Sequence, residues 1–213
     1  MAPSRSTRGV RLDHRGPGAV DLRSDLEAHL RAFERVSSKL RQKPAAVAIV
    51  VLANDGQPCI PIFQRTSDMS RHAGQMALPG GRVHEGESVQ ACAIRELEEE
   101  LGLEAGPESV VGMLDDFDTR SGFTITPVVI WAETEAEAIQ PSKFEVAQVY
   151  LVATPDLRAA VSNARPGDSF SLKLEQVEVF APTAAMLYQF SEVALDGRSV
   201  RVADFYQPPW THR

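Results

Sequence analysis

The sequence predicts a mixed α/β domain of the α+β type. Apolar runs of strand length come in neighbouring pairs, 45–52 with 59–65 and 109–118 with 123–131. Stretches of helical period stand apart from them, at 21–40, 88–101 and 182–191. Paired strands with helices at separate points argue against regular βαβ alternation.

Each element has its own local reason. Leu22, Leu26, Leu30, Phe33, Val36 and Leu40 recur at helical spacing and predict an amphipathic helix over 21–40, which Lys43-Pro44 breaks. The apolar run 45–52 reads as a buried strand, Asn54-Asp55-Gly56 as a turn and 59–65 as the returning strand. Residues 66–79 form a long polar loop, a kind of segment that often carries function. Ser88 opens a helix that Gly102 closes. Strands at 109–118 and 123–131 flank the turn Thr119-Arg120-Ser121-Gly122. A polar connection over 132–143 leads to a strand at 146–152 and a short helix at 155–161. Short strands at 169–174 and 176–180 with a turn between them, then a helix over 182–191, complete the pattern. The sequence thus divides into a disordered tail over 1–20, a domain over 21–191 and a C-terminal extension of unknown role over 192–213.

The 213 residues are enough to bury a core. A formal net charge of −7 argues against general nucleic-acid binding, so an anionic substrate needs local cations. Cys59 and Cys92 lie in apolar runs and read as core residues in a reducing, cytoplasmic setting. No apolar run reaches membrane-spanning length, and residues 1–20 lack the apolar segment of a secretory signal.

The stretch that carries chemistry is GRVHEGESVQACAIRELEEELGL, residues 81–103. Wound at roughly 100° per residue, its helix gathers Ala93, Ile94, Leu97 and Leu101 on one buried face. Glu96 and Glu100 fall one turn apart on a flank of that face, with Glu99 further round and Glu98 on the opposite flank toward solvent. Close carboxylates either raise one another's pKa or hold a cation, and hard divalent ions such as Mg²⁺ suit oxygen ligands. A solvated acidic face is the plainer alternative. Gly80-Gly81 lets the backbone approach a ligand closely, and Arg95 has the planar guanidinium that braces a neighbouring carboxylate.

These residues resemble the Nudix box: Gly, five residues, Glu, seven residues, Arg-Glu, an aliphatic residue, any residue, Glu-Glu, any residue, Gly and an aliphatic residue. Gly81, Glu87, Arg95, Glu96, Leu97, Glu99, Glu100, Gly102 and Leu103 fill every defined position. The resemblance implies a central mixed sheet sandwiched between helices, with the box as a loop–helix–loop. It implies a Mg²⁺- or Mn²⁺-dependent hydrolase of a nucleoside diphosphate linked to a second group. Glu96, Glu99 and Glu100 would ligate metal with the carbonyl of Gly80, supported by Glu87 and Arg95. Glu145 is a candidate general base, since the family often takes that group from a loop after the box, and Glu96 is its rival. The partner expected is a small-molecule substrate, with a homodimer possible. A ligand-sensing module is the reading from another class, although such modules typically lose box carboxylates and all are present here.

The preceding segment, residues 64–81, resembles the mark of the coenzyme A diphosphatase branch. Arg65, Gly74 and Pro79-Gly80-Gly81 match it, and His72-Ala73-Gly74-Gln75 also fits. Thr66 and Leu78 depart from it, and Ser70 stands where the branch has Arg, with Arg71 one residue later. The implied substrate is coenzyme A or an acyl form, cut to 3′,5′-ADP and 4′-phosphopantetheine, with ADP-ribose or a dinucleotide as the alternative. Arg65, Arg71, His72 and Gly74 are the candidate substrate-binding residues.

Overall fold

The computed structural model describes residues 17–40, 42–67, 74–165, 170–205 and 207. Arg71 and His72, and residues 1–16 of the expected tail, lie outside them. Among the described residues eight strands form one mixed sheet. Its path runs β3 (Met76–Ala77), β2 (Gln57–Arg65), β1 (Lys43–Asn54), β7 (Phe123–Glu135), β5 (Val110–Met113). Onto this path β4 (Gly80–Arg82) pairs with β1, β6 (Phe117–Asp118) with β7, and β8 (Val146–Ala153) with β2. β1 and β7 run parallel and the other pairs antiparallel. The β1–β2 hairpin turns on Asp55 and Gly56, both at positive φ (50° and 73°), the geometry a two-residue hairpin loop favours.

The period-two rule places the core on both faces of β1. Ala46, Ala48, Val50 and Leu52 face helix α2 (Val89–Leu101), where they meet Cys92, Ala93, Leu97 and Leu101. Ile49 and Val51 face the other way, into a layer with Leu26 and Leu30 of α1 (Pro17–Ala32) and Leu187 of α4 (Thr183–Gln189). The sheet is therefore sandwiched between helices. Helix α3 (Thr154–Asn163) and the antiparallel pair β9 (Ser171–Lys173) and β10 (Glu178–Phe180) join this second layer.

Several boundaries differ from the sequence expectation for identifiable reasons. α1 ends at Ala32 rather than at residue 40, leaving Val36 and Leu40 exposed. The N–H groups that a longer helix would use internally go to acids of the β5–β6 connection: Val36 N donates to Asp115 Oδ1 (2.7 Å) and Ser38 N to Asp116 Oδ2 (2.9 Å). The strand expected over 109–118 breaks into β5 and β6, because Asp115 turns inward to receive Gln189 Nε2 (2.8 Å) and Arg201 Nη1 (3.0 Å). β7 continues past Trp131 to Glu135 by pairing with β1. After α4 the chain winds on as a π-helix, Phe190–Leu195. Val193, Leu195 and Val202 are buried in the same core as α1, so this part of the expected C-terminal extension packs with the domain.

Candidate active site

Helix α2 is set by its ends. The Ser88 hydroxyl accepts from Ala91 N (3.1 Å), and Gly102, at φ 66°, donates its N–H to Glu98 O (2.9 Å). With Leu97 and Leu101 locked against β1, Glu96 and Glu100 are aimed at β4. Ile94, expected on the buried face, is only partly buried, and Cys92 takes its place in the core. Glu98 is exposed, as its phase predicts.

Glu100 is the most enclosed carboxylate, 1% exposed. Its Oε2 accepts from Gly80 N (2.9 Å), and its Oε1 lies 3.3 Å from Arg65 Nη1. Burial pushes its pKa up to about 8, against the pull of Arg65 and the Gly80 N–H, and Glu96 and Glu145 push the same way. Arg95 gathers the other acids. Nε and Nη2 fork onto the two oxygens of Glu87 (2.9 and 3.2 Å), while Nη1 donates to Glu96 Oε1 (2.7 Å) and Glu99 Oε2 (3.1 Å). The Arg95 hydrogen bonds hold the Glu87 carboxyl well down, at about 2, helped by the His84 N–H (2.9 Å). Glu87 thus fixes Arg95, and Arg95 fixes Glu96.

Gly80 and Gly81 are required by crowding. A Cβ on Gly80 would strike the backbone of Ala46 and Val47, and one on Gly81 would overlap the Glu96 carboxylate. The first contact is with rigid backbone, the second with the end of a flexible side chain. Gly81→Ala should therefore keep the fold while displacing Glu96. We expect an activity loss of up to about 100-fold, the scale of a ~1 Å misplacement, with little change in melting temperature. Parallel activity and melting measurements check this; unchanged activity would mean that the Glu96 position does not matter.

Glu145 reaches this edge through its backbone. Gln140 N donates to Leu101 O (2.8 Å) and Ser142 N to Glu100 O (2.9 Å), tying the segment to the end of α2. Thr66 N then donates to Glu145 O (3.0 Å), and the Thr66 hydroxyl to Phe144 O (3.0 Å). Of the other sequence candidates, Arg65 turns toward Glu100, with Nη2 3.5 Å from Gly80 O. Gly74 serves as a turn: at φ 70° it donates N–H to Arg65 O (3.1 Å) and accepts from Gln64 Nε2 (3.1 Å).

Four carboxylates, Glu87, Glu96, Glu99 and Glu100, thus share two guanidiniums, and Glu145 acts on Glu100 as a like charge. Among the described residues no three His, Cys, Asp or Glu side chains stand as a ready cation cage. Arg95 Nη1 bridges Glu96 and Glu99 instead. The donor chemistry nonetheless fits a divalent ion: all oxygen, in excess negative charge, with one carboxylate buried.

A cleft of about 350 Å³ opens from Gly80, Gly81 and Arg65. Its lining also includes Thr119 and Ser121 of the turn before β7, and Pro182, Thr183, Met186 and Gln207. Gln207 escaped the sequence reading because the end of the chain shows no period, and its partners on 118–120 are remote in sequence.

The architecture is a mixed sheet between helices, with an acidic helix packed beside a cleft. The chain belongs to the NUDIX domain family, which matches residues 42–174. It is 33% identical over 109 residues to the uncharacterized Nudix hydrolase NudL of Shigella flexneri serotype 5b, covering 49% of this chain and 57% of that protein. Against NudL of Escherichia coli O1:K1 it is 40% identical over 91 residues, covering 42% and 47%. The match thus spans about half the length of these curated relatives. The NUDIX hydrolase structure from Alicyclobacillus acidocaldarius shares the fold, with a TM-score of 0.51 at 12% identity over 76% of this chain and 95% of that one. Among the described residues no helix is long and apolar enough to cross a membrane.

Proposed function

We propose that this chain is a divalent-metal-dependent Nudix hydrolase that cuts a nucleoside diphosphate linked to a second group, with coenzyme A or an acyl form as substrate. The observation that carries the reading is the carboxylate cluster packed against Arg65, Gly80 and Gly81, which line the cleft. Glu96, Glu99, Glu100 and the Gly80 carbonyl would hold Mg²⁺ or Mn²⁺. When bound, the ion neutralises diphosphate charge and activates water for attack at phosphorus. Glu87 and Arg95 keep Glu96 in place, and Glu145, tied to the end of α2, takes the proton from the attacking water. Arg65 stands where it contacts both the metal-binding edge and the cleft. The resemblance of residues 64–81 to the coenzyme A branch supports that substrate. The two free, buried thiols, both pushed up to about 11 mainly by burial, support a reducing, cytoplasmic setting.

A panel of coenzyme A, ADP-ribose and dinucleoside polyphosphates, assayed with Mg²⁺ and with Mn²⁺, tests both levels. The expected result is highest kcat/KM on coenzyme A with 3′,5′-ADP as product. Preference for another diphosphate would overturn the substrate and keep the hydrolase. Tight binding without turnover of any would make the chain a sensor.

A further inference from the structure

The two guanidiniums of the site are held differently. Arg95 forks onto both oxygens of Glu87 (2.9 and 3.2 Å) and donates to Arg82 O (3.2 Å), anchors that lie outside the proposed metal ligands. Arg65 meets proposed ligand atoms themselves. Its Nη1 lies 3.3 Å from Glu100 Oε1, and its Nη2 lies 3.5 Å from Gly80 O. Phe63 packs beside the same guanidinium, with Cζ 5.4 Å from the ring centre.

Glu100 has little else to offer an ion. Its Oε2 already accepts from Gly80 N (2.9 Å), and the residue is 1% exposed. A small divalent ion needs its oxygen ligands at about 2.1 Å. On Glu100 Oε1 and Gly80 O it would share both atoms with Arg65. Two cations on one pair of oxygens repel, and in a buried place neither water nor salt screens them well. Arg65 also lines the cleft, so a guanidinium that yields to the ion has the cleft beside it.

We propose that Arg65 is a counter-cation that competes with the metal for Glu100 Oε1 and Gly80 O, and so holds metal affinity below what the carboxylates alone would give. The proposal rests on the reading of these two atoms as metal ligands of a hydrolase, and adds the residue that sets how tightly the ion is held.

Calorimetric titration with Mg²⁺ alone, without substrate, tests it. Working at pH 9 limits proton competition at the buried Glu100. Arg65→Gln keeps a hydrogen-bond donor beside Glu100 but no charge. It should bind Mg²⁺ about tenfold more tightly than the wild type, within the usual range of coupling between two bound groups. Arg65→Lys keeps the charge and should stay close to the wild type. If Arg65 instead holds Glu100 in shape for the metal, Arg65→Gln will bind Mg²⁺ more weakly. Weaker or unchanged affinity in Arg65→Gln overturns the proposal and leaves the metal site intact. The wild type supplies a second measurement that does not depend on how the glutamine variant folds. Its Arg65 Nε–H resonance, assigned by its loss in Arg65→Lys, should move as Mg²⁺ is added, and a resonance that stays in place also overturns the proposal. Failure of the wild type to bind either Mg²⁺ or Mn²⁺ overturns the metal-site reading itself, and this inference with it.

Discussion

Glu100→Gln should lower turnover about a hundredfold or more at saturating Mg²⁺, while making the metal-free protein more stable at alkaline pH. The activity loss is expected because Glu100 is one of the carboxylates proposed to hold the metal, and the substitution removes its charge. The fold should survive, because a glutamine oxygen still accepts the Gly80 N–H. The stability gain follows from linkage. Burial raises the Glu100 pKa from an ordinary 4.5 to about 8. A carboxyl raised in this way favours the folded state when protonated, and that advantage is lost as pH rises from the unfolded value through the folded one. Above pH 8 the metal-free fold therefore carries a buried charge that glutamine lacks. In chelator, the melting temperature of the variant minus that of the wild type should grow between pH 5 and 9, and added Mg²⁺ should narrow it. A pH-independent difference, or full activity of the variant, would remove Glu100 from the metal site. Glu98→Gln, on the exposed side of the same helix, is the control and should be nearly silent.

What the sequence made legible is what short-range chemistry determines. Ser88 and Gly102 mark the ends of α2 because capping is local, and the apolar phase of that helix orients Glu96 and Glu100 without knowledge of the sheet. The Asp55-Gly56 turn announces its hairpin for the same reason. The spacing of Val36 and Leu40 misleads because a helical period is only a proposal until its backbone finds partners, and here Asp115 and Asp116 offer better ones. Periodicity also put Glu100 only on a flank of the buried face. Its near-complete enclosure comes from Gly80 and Arg65, which other strands deliver. Gln207 is the extreme case: two hydrogen bonds to residues almost ninety positions earlier leave no trace in local sequence.

Glu145→Gln should depress kcat by about 10²- to 10³-fold with a smaller change in KM, the range expected for loss of a positioned general base. The substitution is isosteric, and the contacts that place the residue belong to its backbone: Thr66 N on Glu145 O (3.0 Å) and Glu145 N on Ser142 O (3.3 Å). Folding and metal affinity should therefore change little, which separates this variant from Glu100→Gln. General-base catalysis gives the pH profile of kcat an acidic limb. Without the carboxylate that limb should disappear from the pH profile of kcat. Glu96 is the competing base, but its Oε1 already receives Arg95 Nη1 (2.7 Å), and Gly81 leaves it no room for a neighbouring methyl. These contacts suit a fixed ligand better than a group that must exchange a proton in every cycle. Persistence of the acidic limb in Glu145→Gln would reverse the assignment and give the proton to Glu96, leaving Glu145 as an acid that only raises the electrostatic cost of Glu100.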